Sequence, residues 1–181
     1  MPHLSVIRHS LTVANEQGLL MGSVLNSPLS EKGKALARAK GRALKANGYM
    51  PDKVYTSQLL RTKQTAEIIL DILGSDVQPV ELEWLNERDF GKYDGRPLKE
   101  LLDGFDEYGP NPPTIETVEH FVERIIRGLE RIKQESNSFT LIVTHSNTIN
   151  VMKAVLFNPK NVQRYWETDN PEYCEGFSHI F

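Results

Sequence analysis

An α/β fold, a single-domain mainly parallel sheet with helices on both faces, is predicted by three features of this chain. Leu4-Ser5-Val6-Ile7 and Leu141-Ile142-Val143-Thr144 are short apolar runs, the kind that suits strands buried on both faces of a sheet. Each run ends at a histidine beside small polar groups, as Arg8-His9-Ser10 and Thr144-His145-Ser146. Strand-like and helix-like segments then alternate along the chain, which favours parallel pairing with helical crossovers.

Residues 3–9 read as the first strand, and a loop containing Gly and Asn runs from there to Ser30. Ser30 is a fitting N-cap for an Ala-rich helix over Glu31–Asn47 that Gly48 closes. Lys53-Val54-Tyr55-Thr56 reads as a short strand, and Arg61–Leu73 as a helix capped at its start by Ser57 and followed by Gly74. The alternation in 80–85 suits an edge strand or an extended connection. Residues 88–113 read as irregular, because prolines crowd the end of this stretch. Phe121, Ile125, Leu129 and Ile132 mark the buried face of a helix over Val118–Glu135. The strand to His145, a helix over Ile149–Phe157 and a last short strand in 176–181 complete the order. No element is assigned to 158–175.

The 181 residues suffice for one substantial core, so the expected organisation is one domain over 1–181, with 88–116 as a pocket-covering segment. A net charge of −3 argues against a general nucleic-acid or membrane-surface binder, but leaves room for a local anion pocket. The lone Cys174 has no internal disulfide partner, as suits a reducing compartment. No stretch has the length and apolarity of a signal peptide or a membrane span, so a cytoplasmic location is expected. No motif specifies an oligomeric state.

In open α/β sheets, ligands bind outside the carboxyl ends of the strands. If the two histidine-ended strands are parallel neighbours, His9 and His145 meet at one mouth. Burying Arg8 beside His9 is costly unless something occupies them. One reading is a strand-terminal histidine bonded to backbone, with Arg8 reaching for solvent. The other is a histidine nucleophile beside a guanidinium that grips phosphate, since neutral imidazole can attack covalently. Arg61 falls in the first turn of its helix, where the macrodipole disfavours a cation unless an anion sits nearby. Together these residues make a phosphate cradle. The five histidines show no HxxH or HxxxH spacing, and nucleotide-cradling glycine loops are absent from the sequence. Ester hydrolysis also needs a proton for the leaving oxygen, and Glu87 is the candidate donor unless it is a surface carboxylate paired with Arg88.

The motifs, taken together, resemble the histidine phosphatase superfamily, also called phosphoglycerate-mutase-like. Its R-H-G-x-T-x-x-N appears as Arg8, His9, Ser10, Thr12 and Asn15, and its P-L-[ST]-x-x-G as Pro28, Leu29, Ser30 and Gly33. S-x-L-x-R-x-x-Q-T-A is matched by Ser57, Leu59, Arg61, Gln64, Thr65 and Ala66. L-x-E-x-x-F-G-x-[YW]-[ED]-G is matched from Leu85 to Gly95, and a weaker motif by Glu116, Phe121 and Arg124. The [ST]-H-G motif reads Thr144-His145-Ser146.

The resemblance implies His9 as the phosphorylated nucleophile and Glu87 as proton donor and later base. Arg8, Asn15, Arg61 and His145 would bind the phosphoryl group. His145 is counted among the catalytic residues, and Ser10, Ser57 and Ser146 are candidate supports. No metal and no cofactor are implied, and the expected partner is a small phosphate ester, with no nucleic acid and no membrane. Ser10 and Ser146 depart from the family pattern by replacing glycines. They are benign if their backbone angles are ordinary, and weaken the site if positive φ or close approach is required.

Three functions follow from these residues. A metal-independent phosphomonoesterase working through phosphohistidine is favoured. A mutase must retain a second charged group under a basic cover, yet Asp103–Glu116 contains no lysine, arginine or histidine and carries four acids. A catalytically weakened phospholigand-binding module has no need to keep both His9 and Glu87. Among substrates, sugar phosphates, phosphoglycolate-like acids and nucleotide-derived monophosphates all fit. Phe90, Tyr93, Phe105 and Tyr108 are candidate aromatic walls, and Lys92, Arg96 and Lys99 candidate contacts for a second anion.

Overall fold

The computed structural model describes residues 3–135 and 139–180. Five strands form one sheet in the order β3-β2-β4-β1-β5: β1 (His3–Arg8), β2 (Lys53–Thr56), β3 (Val80–Glu81), β4 (Phe139–Thr144) and β5 (Gly176–Ile180). β1, β2, β3 and β4 pair in parallel, and β5 runs antiparallel along β1. The predicted α/β architecture is therefore present, with its one antiparallel strand at an edge.

Alternation along the central strands explains why helices cover both faces. Val6 and Ile142 point to a core built with Phe121, Ile125, Ile149 and Met152. Ile7, Leu141 and Val143 point the other way, against Ala66, Ile69, Leu70 and Leu73. The first face is covered by α5 (Val118–Glu135) and α6 (Ser146–Phe157), the second by α3 (Leu60–Leu73). α2 (Glu31–Ala46) in turn packs on α3 through a small-residue face, Gly33, Ala37 and Gly41, spaced one helical turn apart. A Cβ on Gly41 would lie 2.9 Å from Ile72, so only glycine allows this approach.

Ser30 caps α2 by accepting from the Gly33 N–H, and Gly74 ends α3 in the left-handed conformation, as the sequence predicts. Three expectations need correction. Residues 88–113 are not wholly irregular, because α4 (Leu98–Tyr108) lies inside them. Its prolines flank the helix instead of interrupting it, with Pro97 at the N-cap position and Pro110 just past Gly109. Ser57 is not the N-cap of α3: Leu59 is, without a side-chain cap, and Ser57 accepts from the Leu59 N–H while serving His145. α6 begins at Ser146 and not Ile149, with His145 as its N-cap residue, because Ser146, Asn147 and Thr148 suit a first helical turn. The 80–85 segment is a two-residue edge strand followed by a 3₁₀ turn, Glu83–Leu85. A further short helix, α1 (Val13–Glu16), lies in the loop after β1, and a 3₁₀ segment spans Pro159–Glu167. Phe181, the end of the expected last strand, lies outside the described residues. Among the described residues no helix is long and apolar enough to cross a membrane.

Gly33 matters beyond α2. Its carbonyl accepts the Ser10 hydroxyl at 2.6 Å, and an added Cβ would stand 1.9 Å from the Leu11 carbonyl oxygen. Backbone on both sides leaves no flexible group to give way. Gly33→Ala is expected to destabilise the protein by about 3 kcal/mol, the upper end of overpacking costs, in urea unfolding. Unchanged stability would show that the 10–12 loop relaxes freely.

Candidate active site

Register brings the site together. Arg8 pairs with Thr144 across the β1–β4 ladder, and the His9 N–H donates to the Thr144 carbonyl at 2.8 Å. The two histidines leave adjacent parallel strands at the same level, with ring centroids 5.2 Å apart. A cavity of about 780 Å³ opens here, and Arg8, His9, Asn15, Glu87 and Ser146 are on its wall. Arg61 and His145 are not on that wall; both are fully buried beside it.

His9 has a defined tautomer. Its Nδ1 lies 2.7 Å from the Ser10 carbonyl, which can only accept, so Nδ1 carries the proton. The lone pair is then on Nε2, which has no hydrogen-bond partner among the described residues. Burial, then the charges of Arg61 and Arg8, hold His9 well below the usual imidazole range, while the Ser10 carbonyl opposes them. The ring is neutral at physiological pH.

His145 is fixed at both nitrogens. Arg61 Nε donates to its Nδ1 at 3.2 Å, so Nε2 carries the hydrogen and donates to the Ser57 hydroxyl at 2.8 Å. Ser57 passes the relay to Thr62 Oγ1, whose own hydrogen goes to the Leu59 carbonyl at 2.8 Å. Burial first, then Arg61 and His9, hold His145 well below its ordinary value.

Arg61 is a buried cation in a cage of carbonyls. Its terminal nitrogens donate to Leu25 O at 3.1 Å and Gly22 O at 2.8 Å. Burial lowers it to about 10, against the opposing charges of Glu87 and Asp94, so it stays charged at neutral pH. Asp94 builds the cage: its carboxylate accepts from the N–H groups of Gly22, Val24 and Leu25 at 2.7–3.1 Å. Arg8 is held differently, donating to Pro171 O at 3.0 Å with its guanidinium carbon 4.1 Å from the Tyr173 ring centroid. Its Nε–H is buried and has no hydrogen-bond partner among the described residues. Asn15 forms a capping box with Thr12 at the start of α1.

Glu87 is not the surface carboxylate considered above, for it is 4% exposed. It accepts from the Arg88 N–H at 2.9 Å and from the Asn147 N–H in the first turn of α6 at 3.1 Å. Burial raises its carboxyl above the ordinary value and outweighs those two N–H bonds and the charges of Arg61 and Arg124. Arg88 does not pair with it. The Arg88 guanidinium is spent on Glu116 O, Tyr165 Oη, Pro110 O and Asn111 Oδ1. Arg124 frames the Glu87 turn by donating to the carbonyls of Trp84, Asn86 and Glu87 and to the Glu116 carboxylate.

The two serines sit at ordinary backbone angles: among the described residues, the positive-φ residues outside glycine are Thr114 and Cys174. Ser10 donates to Gly33 O, and Ser146 to Asn170 Oδ1 at 2.7 Å. Neither hydroxyl competes for the ring of His9. Phe90 and Phe105 line the cavity; Tyr93 packs beneath Gly104, and Tyr108 is half exposed elsewhere. Lys92, Arg96 and Lys99 are not on the cavity wall. Among the described residues no group of His, Cys, Asp or Glu is arranged to hold a metal ion. Sequence reasoning missed Asp94, Arg124 and Glu116 as positioning groups although it quoted their motifs, and Tyr173 left no sequence signal.

Residues 4–175 match the histidine phosphatase superfamily (branch 1). A 2,3-bisphosphoglycerate-dependent phosphoglycerate mutase of Parvibaculum lavamentivorans is 32% identical over 166 residues, covering 82% of this chain and 77% of that one. The uncharacterized phosphatase PhoE of Bacillus subtilis is 34% identical over 154 residues, covering 84% and 76%. The solved structure of Bacillus stearothermophilus YhfR shares the fold, with a TM-score of 0.83 at 24% identity, covering 98% and 94%. The chain belongs to the histidine phosphatase superfamily.

Two outcomes are expected. Asp94→Ala leaves three N–H groups of the Arg61 cage without their acceptor and should cost about 1–3 kcal/mol in chemical denaturation, the desolvation cost of an unmade bond. Both histidines have folded-state values depressed below the unfolded value of about 6.5. Below that pH the unfolded chain binds more protons, so stability is full above about 6.5 and falls as pH drops. Glu87, raised, acts with the opposite sign and recovers part of the loss at lower pH. The thermal midpoint should fall from pH 6.5 to 5, and less so in His9→Gln; equal falls would mean that His9 is not held neutral.

Proposed function

We propose that this enzyme of the histidine phosphatase superfamily is a metal-independent phosphomonoesterase that works through a phosphohistidine on His9. One observation carries the reading: the His9 ring is neutral, with its proton pinned on Nδ1 and its Nε2 lone pair free, in a cavity walled by Arg8 and Glu87.

Nε2 attacks phosphorus while the ester P–O bond breaks, and the leaving oxygen takes the proton of Glu87. The imidazole gains positive charge as the P–N bond forms, and the Ser10 carbonyl at Nδ1 stabilises it. Arg8 and Asn15, both on the cavity wall, take phosphoryl oxygens. Arg61 supplies positive charge from behind and fixes the tautomer of His145. Ionised Glu87 then takes a proton from water, whose oxygen attacks phosphorus; the P–N bond breaks, phosphate leaves, and His9 returns neutral. Ser10, Ser57 and Ser146 act as supports through the bonds described above, and residues 88–116 cover the pocket.

Relatives carry both mutase and phosphatase names, and the cavity favours hydrolysis. A mutase must hold a second anion while phosphate moves, and the cations on this wall among the described residues are Arg8 and Arg88, the latter already donating to four protein acceptors. The raised Glu87 carboxyl supports the acid role, because it keeps the proton to a higher pH than an exposed glutamate does.

The test is turnover of phosphomonoesters in the presence of EDTA, beside His9→Ala. Hydrolysis should survive EDTA and vanish in the variant, with thermal unfolding still cooperative; activity in His9→Ala would overturn the nucleophile. Glu87→Gln should slow alkyl phosphates by about 10²–10⁴-fold, the usual range for general acid catalysis, and aryl phosphates far less. Equal losses on both would assign Glu87 a structural role.

A further inference from the structure

The cavity over His9 has two kinds of wall. One is polar and built at the strand ends. The other is apolar and comes largely from α4, whose Leu98, Leu101, Leu102 and Phe105 all line it. Their spacing of i, i+3, i+4 and i+7 places them on one helical face. A face of that kind is ordinarily buried by folding. Here Leu101 is buried, but Leu98 and Leu102 remain 49% and 50% exposed, and Trp166, also on the cavity wall, is 45% exposed. On α4, Lys99 pairs with Asp103 and Glu100 with Arg96, and none of the helix's charged residues is on the cavity wall. Folding thus leaves an unfilled apolar surface continuous with the reacting histidine.

The charges on the wall point the same way. Arg8 is needed for the phosphoryl group, and Arg88 has donated to four protein acceptors. Among the described residues the cavity wall offers no lysine and no third arginine. A substrate bearing a second carboxylate or phosphate would be desolvated there without a cation of its own to pair with.

We infer that the site takes the phosphate monoester of an uncharged, apolar aliphatic alcohol, whose hydrocarbon lies against Leu98, Leu102 and Trp166. This rests on the phosphomonoesterase reading and adds the class of leaving group. The reaction is the same hydrolysis: phosphorus passes to His9 and then to water, and the released alcohol carries the proton from Glu87.

Two measurements on the whole protein test it. Hydrolysis of n-alkyl phosphates from propyl to decyl, kept below their micellar range, is compared with glycerol phosphate and 3-phosphoglycerate. kcat/KM should rise by up to about fourfold per methylene until the hydrocarbon wall is covered, and the polar esters should be the poorest. Calorimetry with the matching n-alkylphosphonates, which do not turn over, should show affinity rising with length in the same way. Leu98→Ser/Leu102→Ser alters half-exposed positions and should flatten both slopes. Phosphonate affinities independent of length, or a preference for 3-phosphoglycerate, would overturn the inference. Rising phosphonate affinity without hydrolysis of any ester would uphold the pocket's chemistry and overturn the phosphomonoesterase reading instead.

Discussion

The site depends on the parallel pairing of β1 with β4. Its register, Arg8 opposite Thr144, is sealed by the bond from the His9 N–H to the Thr144 carbonyl. A one-residue slip of β1 would invert its alternation, turning Ile7 out of its core and carrying His9 away from the level of His145. The register is therefore enforced by two apolar clusters that have no chemical role. Catalytic geometry is inherited from hydrophobic packing on both faces of the sheet.

Charge imposes the second constraint. Arg61 is fully buried, and removing a partner from a buried charge costs about 3–5 kcal/mol. The Gly22 and Leu25 carbonyls must therefore be in place before any ligand arrives, and Asp94 holds them there. A bound anion is not required to make Arg61 tolerable, contrary to what its place near a helix N-terminus suggests. Burial does most to keep both histidines neutral, and the Arg61 cation adds to it while fixing the tautomer of His145. The same fold that shelters a permanent positive charge thus keeps an uncharged imidazole beside it.

The sheet, the order of its elements and the meeting of His9 with His145 were legible in the sequence because they rest on local patterns: apolar strand runs, a capping serine, glycines at helix ends. α4 was hidden because Pro110, Pro112 and Pro113 dominate the composition of their stretch, although proline outside a helix merely bounds it. The burial of Glu87 was hidden too, since it depends on Asn147 and Arg124, which lie 60 and 37 residues away in the chain. The motif containing Asp94 and Gly95 was visible, but not that the carboxylate gathers three amides from residues 22–25. Long-range polar contacts leave no periodic signal. Tyr173, which supports Arg8 from the segment before β5, shows the same limit.

The site divides accordingly into parts with different freedom to change. His9 follows the end of β1, Arg61 lies in the first turn of α3 and Glu87 in the loop after the 83–85 turn, and all three are buried, so substitution there disturbs the core as well as the site. The apolar wall sits on α4, where Leu98 and Leu102 are half exposed and hold little of the fold together. Surface substitutions usually fall within about 0.5 kcal/mol of neutral. A change on this helix face therefore leaves His9, Glu87 and the caged arginine where the sheet puts them.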